Sequence, residues 1–193
     1  NYVLGCDIGF NDADAIAILG WQDHSNIVYL IEEQVTAKQG ITALANQIIA
    51  LEAKYKPRDL VIDAGGLGKK IQEELRERFN IDIKATEKSQ KLMHIELLND
   101  AMRRKEFFAT SSSHFAQDCS MVEWDTPGIS VSDRFHSDIT DAVLYGFRKC
   151  LHYLEQPKPT PVAKEKQEEN ALLEHALKPF REKEQNYDNY FDL

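Results

Sequence analysis

The chain has 193 residues, room for one domain of ordinary size and an appendage. Apolar residues make up 42% and charged residues 28%, a globular mix in which no run approaches the roughly 18 apolar residues of a membrane span and no basic-then-apolar leader opens the chain. Three cysteines (Cys6, Cys119, Cys150) without Cys-x-x-Cys spacing point to a reducing compartment and away from a disulfide framework or zinc site, while a net charge of −9 weighs against a nucleic-acid partner.

Tyr2-Val3-Leu4-Gly5-Cys6-Asp7-Ile8-Gly9 reads as a first strand, and its start one residue into the chain suggests a piece of a longer protein. A polar tip at Asn11-Asp12 leads to a second strand, Ala15 to Trp21, and a turn at Gln22-Asp23-His24-Ser25 to a third, Asn26 to Glu32. Such short links favour an antiparallel meander. The apolar period then changes: Ile41, Leu44, Ala45, Ile48, Leu51 and Tyr55 recur at helical spacing, and Pro57 ends that helix. Leu60-Val61-Ile62 is a strand with both faces apolar, running into Asp63-Ala64-Gly65-Gly66-Leu67-Gly68. A helix through Ile71, Leu75 and Phe79 follows, then a weak fifth strand, Ile81-Asp82-Ile83. Leu92 to Arg104 is helical, with Phe107-Phe108 after it, and Val122 to Val131 reads as a hairpin in which Trp124 stacks or packs. The last strong helix runs from about Ser137 to Leu154, with Ile139, Val143, Phe147, Cys150 and Leu154 on one face. Prolines 157, 159 and 161 and a charged stretch follow. Residues 1–155 thus form the domain, and residues 156–193 a linker and a mobile acidic, aromatic tail.

The order β-β-β-α-β-α-β predicts an α/β fold, a mixed sheet of five or more strands with an antiparallel meander, flanked by helices. Crossover rules set the first and fourth strands side by side and parallel. Their carboxyl ends then meet at a topological switch, where such sheets place their sites. This is the ribonuclease H-like layout.

Asp7 closes the first strand and Asp63 the fourth, so neighbouring strand ends bring them within reach of a shared cation. Asp138 and Asp141 stand three apart in the first turn of the last helix and share a face. Four crowded carboxylates repel one another unless cations sit among them, and Mg²⁺ or Mn²⁺ favours such oxygen ligands. Two ions roughly 3.5–4 Å apart can activate water and stabilise the leaving oxygen of a phosphodiester. Metals facing the nucleic acid also soften the objection from net charge. Each acid has a plainer reading: Asp7 and Asp63 as turn residues, Ser137 or Asp138 as a helix cap, Asp141 as a complement to the helix dipole. Their coincidence in one fold favours the metal reading.

Other features are weaker. Asp63 to Lys70 falls short of a Walker loop, with Asp63 where the first glycine belongs and Lys70 where Ser or Thr should stand. Its glycines instead allow a backbone to approach Asp63 closely. Lys69, Lys70, Lys84, Lys88, Lys91 and Arg103-Arg104-Lys105 form basic groups that suit phosphates or a solvated face. His136 is placed to position water or a phosphate, or is structural, and Asp14 beside the first turn can reach the site.

Gly5-Cys6-Asp7-Ile8-Gly9, Val61-Ile62-Asp63-Ala64-Gly65-Gly66-Leu67-Gly68 and His136-Ser137-Asp138-Ile139-Thr140-Asp141-Ala142-Val143-Leu144-Tyr145 together resemble the nuclease domain of phage large terminase subunits. The resemblance covers roughly residues 1–155. It implies a metal-dependent DNA endonuclease that cuts concatemeric viral genomes during packaging with little sequence preference, using two Mg²⁺ or Mn²⁺ ions. By position, Asp7 and Asp63 match the first two metal-binding acids, and Asp138 or Asp141 the third. Lys88 or Lys91 falls where the family often has a lysine ahead of a helix. Lys69, Lys70, Lys88, Lys91 and His136 are the candidate DNA contacts. The implied partners are double-stranded DNA, a packaging ATPase domain of the same polypeptide, the portal protein and the small terminase subunit, without a membrane. The implied setting is the host bacterial cytoplasm, transiently at the procapsid portal. The ATPase's Walker motifs are missing from this chain, which agrees with an isolated carboxyl-terminal domain. A RuvC-like Holliday-junction resolvase shares the fold and the Asp-x-x-Asp-Ala helix start and is the nearest rival. An actin-like or sugar-kinase ATP-binding module shares the Asp-x-Gly strand, and a structural docking domain would need no metal at all.

Overall fold

Three strands rich in apolar residues open the chain: β1 (Tyr2–Ile8), β2 (Ala13–Trp21) and β3 (Val28–Ala37). They form the expected antiparallel meander in this computed structural model, which describes residues 1–9, 13–63, 68–86, 90–126, 130–132, 135 and 137–154. Then come α1 (Ile41–Tyr55), β4 (Asp59–Ile62), α2 (Gly68–Phe79), β5 (Ile83–Ala85) and α3 (Lys91–Arg103). β6 (Phe107–Phe108), α4 (His114–Cys119), β7 (Trp124–Thr126), β8 (Ser130–Val131) and α5 (Asp138–Leu151) complete the order. Six strands make one mixed sheet, β5-β4-β1-β2-β3-β6, and β7 pairs with β8 as a separate hairpin. As predicted, β1 and β4 are parallel neighbours. The architecture is the ribonuclease H-like α/β fold. No described helix is long and apolar enough to cross a membrane.

Alternation along the strands sorts the core into two layers. Val3, Ala15, Ala17, Leu19 and Val61 pack with α3, α4 and α5, whereas Leu4, Cys6, Ile16, Ile18, Leu60 and Ile62 pack with α1 and α2. Where α5 crosses β1, side chains shrink to nothing. A methyl group on Gly5 would run into the Ala142 carbonyl and stand 2.9 Å from the Gly146 nitrogen, so helix and strand meet at backbone distance.

Several elements depart from the sequence reading. β3 starts at Val28 and runs on to Ala37 instead of spanning Asn26 to Glu32, because its polar half finds partners elsewhere. Glu32 accepts from Lys54 Nζ and Tyr55 Oη at 2.6 Å each, and Glu33 accepts from the His114 and Phe115 backbone nitrogens at the start of α4. A bulge at Ile31 lets Glu32 face Ile18 while Leu30 faces Leu19. β5 lies at 83–85 rather than 81–83: Ile81 is buried ahead of it, and Ile83 is the first residue paired, with Leu60. Phe107-Phe108 forms a sixth strand, parallel to β3. The short α4 was not foreseen; Ser113 Oγ caps it by accepting from Ala116 N at 3.0 Å. α5 ends at Leu151, three residues early, and Tyr153 and Leu154 pack on the core beyond it. The tip at 11–12, the glycines at 65–66 and the segment 156–193 lie outside the described residues.

Candidate functional site

The parallel register pairs Cys6 with Ile62, which leaves Asp7 and Asp63 as the next step along two neighbouring strands. Asp63 N donates to the Cys6 carbonyl at 3.2 Å. With a side-chain period of two, Asp7 follows Val3 and Gly5, and Asp63 follows Val61, on the face that α5 covers. Asp7 Oδ1 accepts from Ile8 N at 3.1 Å.

α5 supplies the other two acids from its first turn. Ser137 is the N-cap: its Oγ accepts from Thr140 N at 3.2 Å and donates to Asp118 Oδ2 of α4 at 2.9 Å. Asp138 is therefore not the cap. Its Oδ2 accepts from Ala13 N, at the start of β2, at 3.3 Å. Asp141 Oδ2 accepts from Lys91 Nζ of α3 at 2.6 Å, and Tyr145, one turn further on, donates through Oη to Asp63 Oδ2 at 3.4 Å.

Charge binds these groups into one unit. The Asp7 carboxyl is pushed up from 3.8 to about 8, by burial first and then by Asp141, Asp138 and Asp63, against a smaller pull from Lys91. Burial also raises the Tyr145 phenol, with Asp141, Asp7 and Asp63 adding to it. Asp14 is raised by burial, opposed by a hydrogen bond from Gln39 and reinforced by Asp138. Burial, then Asp7 and Asp14, lifts the Cys6 thiol well above its ordinary value. Among the described residues no three His, Cys, Asp or Glu side chains stand ready to hold one ion. Asp141 is turned to Lys91 and Asp138 to the Ala13 amide. In chemistry the set fits a hard divalent cation: its donors are carboxylate oxygens, and the repulsion around Asp7 is what such a charge relieves.

Residues 4–148 match the family described as the terminase RNaseH-like domain. The chain belongs to that family. Among solved structures, the large terminase of a thermophilic bacteriophage superposes with a TM-score of 0.65 at 14% identity, over 78% of this chain and 39% of that one. The large terminase nuclease domain of bacteriophage SPP1 with bound Mn gives 0.58 at 18% identity, over 78% and 86%. The large terminase nuclease of thermophilic phage G20c with bound magnesium gives 0.62 at 17%, over 77% and 80%. These likenesses show the fold. The terminase-family chain spans about two fifths of the first of these proteins and four fifths or more of the separate nuclease domains. No curated protein matches it in sequence.

Of the remaining predicted residues, Lys91 heads α3 and meets Asp141. Lys69 and Lys70 are exposed in the first turn of α2, whose Gly68 packs so closely on the Asp63 carbonyl that no side chain fits there. Lys88 and His136 lie outside the described residues. Tyr145 went unassigned in the sequence, although its place four residues after Asp141 puts it on the same face. Asp14 had a louder signal, a lone acid in an otherwise apolar strand, and its buried carboxyl lies beside Asp138. Trp124 lines an apolar cavity of about 200 Å³ with Leu98, Met102, Phe115 and Leu144.

Proposed function

We propose that this member of the terminase family is a metal-dependent DNA endonuclease, the cutting domain of a phage large terminase, acting on concatemeric viral DNA with little sequence preference. Asp7, Asp63, Asp138 and Asp141 are the residues that would hold two Mg²⁺ or Mn²⁺ ions. Such ions, when bound, supply an acidified water and neutralise charge on the phosphate under attack. The reaction is hydrolysis: water adds to phosphorus and the P–O3′ bond breaks, leaving a 3′-hydroxyl. The protein's own part is to hold the acids. Lys91 steadies Asp141, Tyr145 Oη steadies Asp63, and the Ala13 amide steadies Asp138.

One observation carries the reading: a buried Asp7 carboxyl raised to about 8, in part by three further acids drawn from two other elements. Turn and cap residues need no such crowding. The relatives solved with bound Mn and with bound magnesium support the choice of cation. The large terminase among them, about two fifths of which this chain covers and which is also solved with ATP-gamma-S, supports an ATPase domain and double-stranded DNA as partners. The portal protein, the small subunit and the host cytoplasm complete the proposed setting, with residues 1–155 as the nuclease domain and 156–193 as its tail.

The test is plasmid cutting in Mn²⁺. Wild type should nick and linearise the plasmid, and Asp7→Ala and Asp63→Ala should not, with circular dichroism unchanged. Cutting retained by both variants would defeat the assignment, and cutting confined to four-way junctions would make the protein a resolvase.

A further inference from the structure

A second cleft opens beside the carboxylates, between the carboxyl-terminal half of α5 and the β4–β5 edge of the sheet, with a volume of about 200 Å³. Val61 is its floor. Tyr145, Arg148, Lys149 and His152 line one wall, and Lys84, with Ala85 and Thr86, the other. Tyr145, Arg148 and Lys149 of α5, with His152 as its C-cap, fall at i, i+3, i+4 and i+7, a single stripe. Among the described residues that line it, three are cationic and none is acidic, in a chain whose net charge is −9.

Below the cleft, Asp59 accepts from Lys84 Nζ at 2.6 Å and from Tyr153 Oη, with Lys149 Nζ at 3.4 Å. One buried carboxylate thus orients two of the three cations. Basic residues late in a helix also complement its dipole. Lys84 belongs to a strand, however, and still converges on the same space. Tyr145 joins the two places, since it lines the cleft and hydrogen-bonds Asp63.

We propose that this cleft binds backbone phosphates of the DNA strand being cut, through Lys84, Arg148 and Lys149. The inference rests on the nuclease reading and extends it. Asp141 to Arg148 is seven residues of helix, about 10 Å, so the phosphates held lie about one to two nucleotide steps from the acids. The grip is on the sugar-phosphate chain, so it is indifferent to base sequence.

The experiment measures affinity of the full 193-residue chain for a labelled duplex in Ca²⁺, with NaCl varied, alongside plasmid cutting in Mn²⁺. Lys84→Ala and Arg148→Ala should each weaken binding about five-fold near 0.15 M salt and flatten the log–log salt slope by about one, and the double variant by about two. Lys84→Arg should restore binding. Asp59→Asn, which releases two cations from their partner, should tighten it. Thermal melts of each variant confirm folding. Unchanged slope and affinity in the folded double variant, while wild type still binds and cuts, would overturn the cleft and leave the nuclease standing. Binding that depends on the cleft without any metal-dependent cutting would do the reverse. A wild-type chain that binds no DNA would overturn both.

Discussion

Asp7→Asn offers the sharpest test of the carboxylate cluster, because it predicts a gain in stability from damage to the site. In the unfolded chain this carboxyl titrates near 3.8, and in the folded domain near 8. Below the lower value it carries its proton in both states and costs nothing. Between the two the unfolded chain has released its proton and the folded domain has not, so stability falls as pH rises and levels off above about 8. The full difference is on the order of 5 kcal/mol. Relaxation around the group will return part of it. If a third remains, Asp7→Asn should raise the melting temperature of the metal-free domain by about 4–8 °C at pH 8, and hardly at all near pH 4. Mn²⁺ should stabilise wild type far more than the variant, and more at pH 8 than at pH 5, since binding must displace the proton. The assay is a thermal melt in EDTA and in Mn²⁺ at those pH values. A variant no more stable than wild type in EDTA at pH 8 would refute the account of Asp7.

Three further outcomes follow from contacts already described. Lys91→Met removes a cation that pulls Asp7 downward, so carboxyl-carbon NMR should show Asp7 titrating higher still; a fall would place Lys91 elsewhere. Ser113→Ala deletes the cap of α4 and should cost about 1 kcal/mol, or about 2–4 °C in melting temperature, with metal binding retained. Burial alone would raise Asp59, but hydrogen bonds from Lys84 and Tyr153, with the charge of Lys149, hold it below its ordinary 3.8. Its contribution is therefore present above that value and lost as pH falls through the folded one. Asp59→Asn should destabilise the domain near neutral pH and make little difference at about pH 2, as chemical denaturation at the two pH values will show.

The layered sheet was legible in the sequence because burial imposes a period, and the period of Val3, Gly5 and Asp7 carries straight into the site. Chain order alone makes Asp7 and Asp63 neighbours. What escaped was held by distant partners. Glu32 and Glu33 look like the end of a strand until Lys54, Tyr55 and the start of α4 are seen to occupy them. Two residues, Phe107 and Phe108, carry no period at all, and their strand exists because β3 offers an edge. Ile81 is as apolar as Ile83, and only the pairing of Leu60 with Ile83 sets the register of β5. In the site, the acids were visible as residue types, whereas the contacts of Tyr145 and Lys91 depend on how helices lie across strands.

The paired glycines under α5 tie the two ends of that helix to a common fate. Gly5 and Gly146 meet near its middle, with acids in its first turn and cations in its last. One added carbon there would lift the whole rod, moving the acids of its first turn and the cations of its last together. A screen of variants for loss of the proposed plasmid cutting should accordingly recover lesions at two residues that bear no charge.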